Sequence, residues 1–192
     1  MRNRSAPIAI GGIAAAIILG ASAGGSPPAT YKTVAKKHHR GHKPKRTHLA
    51  TSKDLWATIN VCDVPPDYDN TIGIRGSMPG LGNRSSRLVM RFQVQFKSKT
   101  DGEWHNAGPD SDSGWQRVGR TVRQVIESGQ NFTYMPPTDG GTHLLRGRVR
   151  FRWYRHNHVV ARQERFTEAG HRSTAGAQPD GYSAAQCEIT AP

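Results

Sequence analysis

This chain has little of what most enzymes and metalloproteins need. It holds two cysteines in 192 residues, and a structural zinc site takes four ligands. No H-E-x-x-H helix and no G-x-S-x-G elbow occurs in it, so the common zinc-hydrolase and serine-hydrolase signatures are missing. The histidines beyond residue 100, at His105, His143, His156, His158 and His171, stand in no metal-ligand spacing. No catalytic residue, metal ligand or cofactor is therefore expected. Acids are scarce too: 14 stand against 27 lysines and arginines, for a formal net charge of +13. There is only one long apolar run, and it lies at the N-terminus.

That run, residues 8–19 (IAIGGIAAAIIL), follows Arg2 and Arg4 and precedes Ala21-Ser22-Ala23. A positive start, a short apolar stretch and an A-x-A site make a secretory signal peptide. A spanning helix needs about 20 apolar residues, so residues 1–23 read as a cleaved leader and the mature chain as having no integral membrane span. The expected location is secreted or extracytoplasmic, in the cell envelope.

The charge is uneven. All 14 acids lie from Asp54 onward, and residues 24–53 carry eight cations with no acid. This segment (GGSPPATYKTVAKKHHRGHKPKRTHLATSK) has few apolar residues to bury and reads as a disordered basic linker. It would attract polyanions in a salt-dependent and unspecific way. Its His38, His39, His42 and His48 can hold transition metals only weakly.

Residues 54–192 read as a single all-β domain. In 87–97 (RLVMRFQVQFK), Leu88, Met90, Phe92, Val94 and Phe96 alternate with Arg87, Arg91, Gln93, Gln95 and Lys97, with Val89 the one exception. In 145–153, Leu145, Gly147, Val149, Phe151 and Trp153 alternate with Arg146, Arg148, Arg150 and Arg152. Period-2 alternation means a strand with one buried and one wet face. Further strands are expected at 55–62, 72–78, 130–134, 159–166 and 185–190, with 118–126 either helix or strand. Pro65-Pro66, Pro79-Gly80, Asp101-Gly102, Ser128-Gly129, Pro136-Pro137, Gly140-Gly141 and Asp180-Gly181 read as turns, and His156-Asn157-His158 as a hairpin. One-sided strands belong to antiparallel sheets. About seven of them suggest a two-sheet, immunoglobulin-like sandwich, with a jelly roll or small barrel as the alternative.

Cys62 and Cys187 fall on the first and last expected strands. An even count in an exported chain implies a disulfide. The pair departs from antibody-type domains, where a Trp follows the first Cys by about a dozen residues.

WATINVCD, IGIRGSMPG, LRGRVRFRW and GYSAAQCEI resemble segments of a group of uncharacterised small exported bacterial proteins with immunoglobulin-like sandwiches. The resemblance covers residues 55–189. It implies fold and compartment and carries no functional residue across.

The residues proposed for binding are Arg146, Arg148, Arg150 and Arg152. Alternate residues on one strand face lie about 6.6 Å apart, so this ladder would match a linear polyanion, and guanidinium groups pair well with phosphate and carboxylate. The competing reading is an ordinary solvated face, partly neutralised by Glu164 on the neighbouring strand. Asp110-Ser111-Asp112-Ser113-Gly114 has the D-x-D-x-G form of a calcium loop but lacks the closing Glu. Trp104 and Trp115 flank it and can stack on ligands.

The sequence thus points to an exported non-catalytic module that associates with anionic envelope or extracellular polymers. It gives no sign of specific nucleic-acid recognition. The alternatives are a secreted hydrolase of unfamiliar type, with Ser, His and Asp dispersed along the chain, and a structural domain with a protein partner.

Overall fold

The structure is a computed structural model that describes residues 47–82, 85–120, 125–138, 140–171 and 174–191. The expected leader and most of the expected linker lie outside the described residues. Every described residue belongs to one compact unit, His42–Pro192.

Among the described residues the architecture is antiparallel β-sheet with almost no helix. One α-helical turn, α1 (Thr47–Ala50), is followed by β1 (Trp56–Val64), β2 (Tyr68–Pro79), β3 (Ser86–Lys97), β4 (Trp104–Asn106), a 3-10 turn at Pro109–Ser111, β5 (Gln116–Gly119), β6 (Val125–Thr133), β7 (Thr142–Arg155), β8 (His158–Phe166) and β9 (Cys187–Thr190). One sheet has the order β1-β2-β6. The other has β3 and β7 at its centre. β4 and β5 pair with the outer side of β3, while β8 and β9 pair with that of β7. All seven expected strand segments contain strand, and in 118–126 the described residues hold strand at 118–119 and 125–126 and no helix. β4 and β5 were not expected. They are three and four residues long, too short to show a period.

The core lies between the sheets. Ile59, Ile72, Ile74 and Met78 from one side meet Leu88, Met90, Phe92, Val94, Val149, Phe151 and Trp153 from the other, each essentially inaccessible to solvent. The alternation in β7 is complete: Leu145, Gly147, Val149, Phe151 and Trp153 are buried, and the four arginines between them are not. Trp153 is the largest fully buried side chain, and its indole N–H donates to the Pro79 carbonyl at 2.7 Å, so the polar atom is satisfied. Gly147 is small because Ile74 and Thr167 press against it: a Cβ there would stand 2.6 Å from Thr167 Cγ2 and 2.9 Å from Ile74 Cδ1.

Three local expectations differ. Phe96, placed with the core side chains of β3, is 38% exposed; it lies near the end of the strand, its ring 5.7 Å from that of His105. Ser128-Gly129 is no turn but lies inside β6, with Gly129 paired to Arg75. That glycine gives room: a Cβ would come within 2.8 Å of the Ile74 carbonyl and 3.2 Å of the Arg75 guanidinium. The face of β3 expected to be wet is partly roofed, since Gln93 and Gln95 are buried. The His156-Asn157 turn is as expected: both residues have positive φ, 46° and 66°, the conformation of a tight hairpin turn.

Cys62 and Cys187 form a disulfide with Cα atoms 5.5 Å apart. A bulge makes this possible. Between Ile59 and Val61 the β1–β2 register slips by one residue. Ile59 pairs with buried Ile74, and after the extra residue Cys62 pairs with buried Ile72. Without the bulge, strand parity would turn Cys62 away from Ile59's side. The bond joins β1 of one sheet to β9 of the other. Between β8 and β9, the chain runs along the free edge of β1: Ile59 and Ala184 exchange backbone hydrogen bonds at 2.9 and 3.0 Å, and Gln178 N donates to Asn60 O at 2.8 Å. This segment blunts an otherwise open sheet edge. The disulfide is compatible with an extracytoplasmic location. Among the described residues, no helix is long and apolar enough to cross a membrane.

Candidate anion-binding face

The outer face of the larger sheet is built by the register of its three longest strands. β3 against β7 sets Gln95 opposite Arg146, Gln93 opposite Arg148, Arg91 opposite Arg150 and Val89 opposite Arg152. β8 sets Phe166 opposite Arg148, Glu164 opposite Arg150 and Arg162 opposite Arg152. The four ladder arginines therefore share one face, as their spacing requires, and gain Arg91 and Arg162 as neighbours.

Aromatic rings hold the two ends of the ladder. The Arg146 guanidinium carbon lies 4.4 Å from the Trp104 ring centre and 4.1 Å from that of Phe166. Its Nε donates to Gln95 Oε1 at 2.9 Å. Burial pushes the Arg146 pKa below its usual value, and the neighbouring Arg148 charge adds to that. At the other end the Arg152 guanidinium carbon lies 3.7 Å from the Trp115 ring centre. Such contacts contribute about 0.5–2 kcal/mol each, and they fix flexible side chains before any ligand arrives.

Carboxylates occupy the middle. Arg148 Nη2 and Arg150 Nε converge on one oxygen of Glu164, at 2.8 and 3.1 Å. The Asp112 carboxylate accepts from Arg91 Nε at 2.7 Å, from Arg91 Nη2, from Gln93 Nε2 at 3.0 Å and from Gly114 N at 3.0 Å. The Arg91 hydrogen bond is the main reason the Asp112 pKa lies below the usual carboxylate value, and Asp112 in turn raises that of Arg91. This removes the calcium reading of the D-x-D-x-G loop, because its central carboxylate is committed to a guanidinium. The Asp101 pKa is held down to about 2, chiefly by the Glu103 amide and then by Ser98 and His105.

Six guanidinium groups thus share this strip with two paired carboxylates. Glu164 neutralises part of the ladder, as its position in the sequence allows, and Arg146, Arg152 and Arg162 have no carboxylate partner among the described residues. A groove of about 460 Å³ opens at the Arg152 end, lined by Trp115, Arg150, Arg152, Arg162, Gln163 and Glu164. Sequence reasoning found the ladder, Glu164 and both tryptophans. It missed Arg91, Asp112 and Phe166 as parts of one surface, because only the register shows who stands opposite whom. No protein-family model matches this chain, and no curated protein matches it in sequence.

Proposed function

We propose that this protein is an exported, non-catalytic β-sandwich module that associates with anionic polymers of the envelope or extracellular space. The reading rests on one observation: six guanidinium groups on one rigid sheet face, two ends of the ladder clamped by aromatic rings, with two carboxylates to balance them. A face serving only for solubility would mix signs and leave its side chains free. Holding guanidinium groups in place lowers the entropy lost on binding. The basic segment before the domain adds unspecific attraction.

An immunoglobulin-like assignment belongs to the same proposal. The division of strands into β1-β2-β6 and β4-β3-β7-β8 supports it, since it matches the usual partition of such sandwiches. So does the resemblance to small exported bacterial proteins. Cleavage after Ala23 and export are likewise proposed, on the leader and the disulfide.

The test is a salt titration of heparin binding by the full chain and by the R148Q/R150Q variant. Each lost ionic contact lowers the slope of log K against log salt by about 0.7–0.9, so the variant should show a slope shallower by about 1.5 while remaining folded, with some loss of thermal stability from the two Glu164 ion pairs it removes. An unaltered slope in a folded variant would remove the face from the proposal and leave only the basic segment.

A further inference from the structure

The Trp115 end of the face differs from the Arg146 end, where the guanidinium faces Gln95 and two aromatic rings. Arg152 and Arg162 stand directly opposite each other on β7 and β8, and like charges so placed repel. Neither has a carboxylate partner among the described residues, although the adjacent pair, Arg150 and Glu164, is an ordinary ion pair at 3.1 Å. The two unbalanced groups line the 460 Å³ groove, a volume within the range of small-ligand sites. An oxyanion seated between them would relieve the repulsion and accept from both.

Building on the proposed association with anionic polymers, we propose that this groove is a subsite for one acidic sugar unit of a polysaccharide. The anionic group of the unit sits between Arg152 and Arg162, and its hydroxyls reach Glu164. Glu164 decides between acidic saccharide and nucleic-acid strand. A carboxylate accepts hydrogen bonds and donates none. A sugar ring offers it hydroxyl donors, whereas a phosphodiester backbone presents acceptors and negative charge, which it repels. Trp115 points the same way. Arg152 stacks on its ring at 3.7 Å, so this indole serves as a support for a guanidinium and not as an open platform for a base.

The test uses the full chain at physiological salt and three short probes, titrated by calorimetry. These are a tetrasaccharide with two glucuronate carboxylates, a neutral glucose tetrasaccharide, and a thymidine trinucleotide with two phosphodiesters. The acidic tetrasaccharide should bind at least about tenfold more tightly than either of the others. R152Q/R162Q should lose about tenfold or more, as expected for charge-assisted hydrogen bonds. E164Q carries the discrimination. If Glu164 receives hydroxyls, E164Q weakens acidic-saccharide binding and narrows the gap to the trinucleotide. If the groove is only a positive patch, removing a negative charge tightens all anionic probes, and that result overturns the subsite. Equal or tighter binding of the trinucleotide to the unaltered chain also overturns it. Heparin retention, run in parallel on the same variants, reports the broader proposal. Retained heparin binding without tetrasaccharide binding rejects the subsite alone, and loss of both rejects the anionic-polymer reading as well.

Discussion

Replacing both cysteines with alanine, C62A/C187A, tests how the two sheets are joined. The bond spans 125 positions of sequence, which a chain-entropy estimate for a closed loop of that size converts to ~5 kcal/mol of stabilisation. It ties β1 of the smaller sheet to β9 at the edge of the larger one. β9 is four residues long, its described ladder partner is β7, and beyond the bond it is held by the buried side chains of Cys187 and Ile189. Domains of this kind are stable by about 5–15 kcal/mol in total, and the loss is therefore a large fraction of the whole. With a urea dependence of roughly 2 kcal/mol per molar, the midpoint should fall by about 2.5 M. Unfolding can be followed by tryptophan fluorescence, since Trp153 is wholly buried and becomes exposed on opening. Amide exchange gives a second reading: the β9 amides should lose protection before those of β3 and β7. A midpoint that moves by less than about 0.5 M would refute the reasoning. It would mean that the segment along β1 already holds the C-terminus and that the cross-link constrains little in the unfolded chain.

Two further outcomes follow from the packing and the charges. G147A should lower stability by about 1–3 kcal/mol, because its methyl group would meet Thr167 and Ile74 inside van der Waals distance in a core that cannot expand; thermal unfolding measures it, and an unchanged transition would show that Ile74 has room to move. D112N should cost about 1.5–3 kcal/mol near neutral pH, the usual worth of a charge-assisted hydrogen bond. Asp112 has a folded pKa below its unfolded value, so its contribution is complete above about pH 4 and is lost as pH falls from there through the lower folded value. The gap between the unaltered chain and D112N should therefore close on acidification, and a gap independent of pH would assign the loss to packing.

The sequence alone determined the fold class and the faces of the two central strands. Residues 87–97 and 145–153 alternate so regularly that the only consistent backbone is a strand with one apolar side, and the charge on Arg146, Arg148, Arg150 and Arg152 forces that side inward. Pairing of the two cysteines followed from their number. Other features were hidden because they depend on partners distant along the chain. The bulge near Asn60 that turns Cys62 inward leaves no mark in composition, and Gly129 reads as a turn until Arg75 is seen lying against it. The candidate site divides in the same way. A strand's period of two is a local property, so the ladder is legible from its own residues. Which charge is balanced and which is not depends on strand register, fixed by how two whole sheets pack their cores. That register puts Asp112 on Arg91, Glu164 between Arg148 and Arg150, and leaves Arg152 facing Arg162.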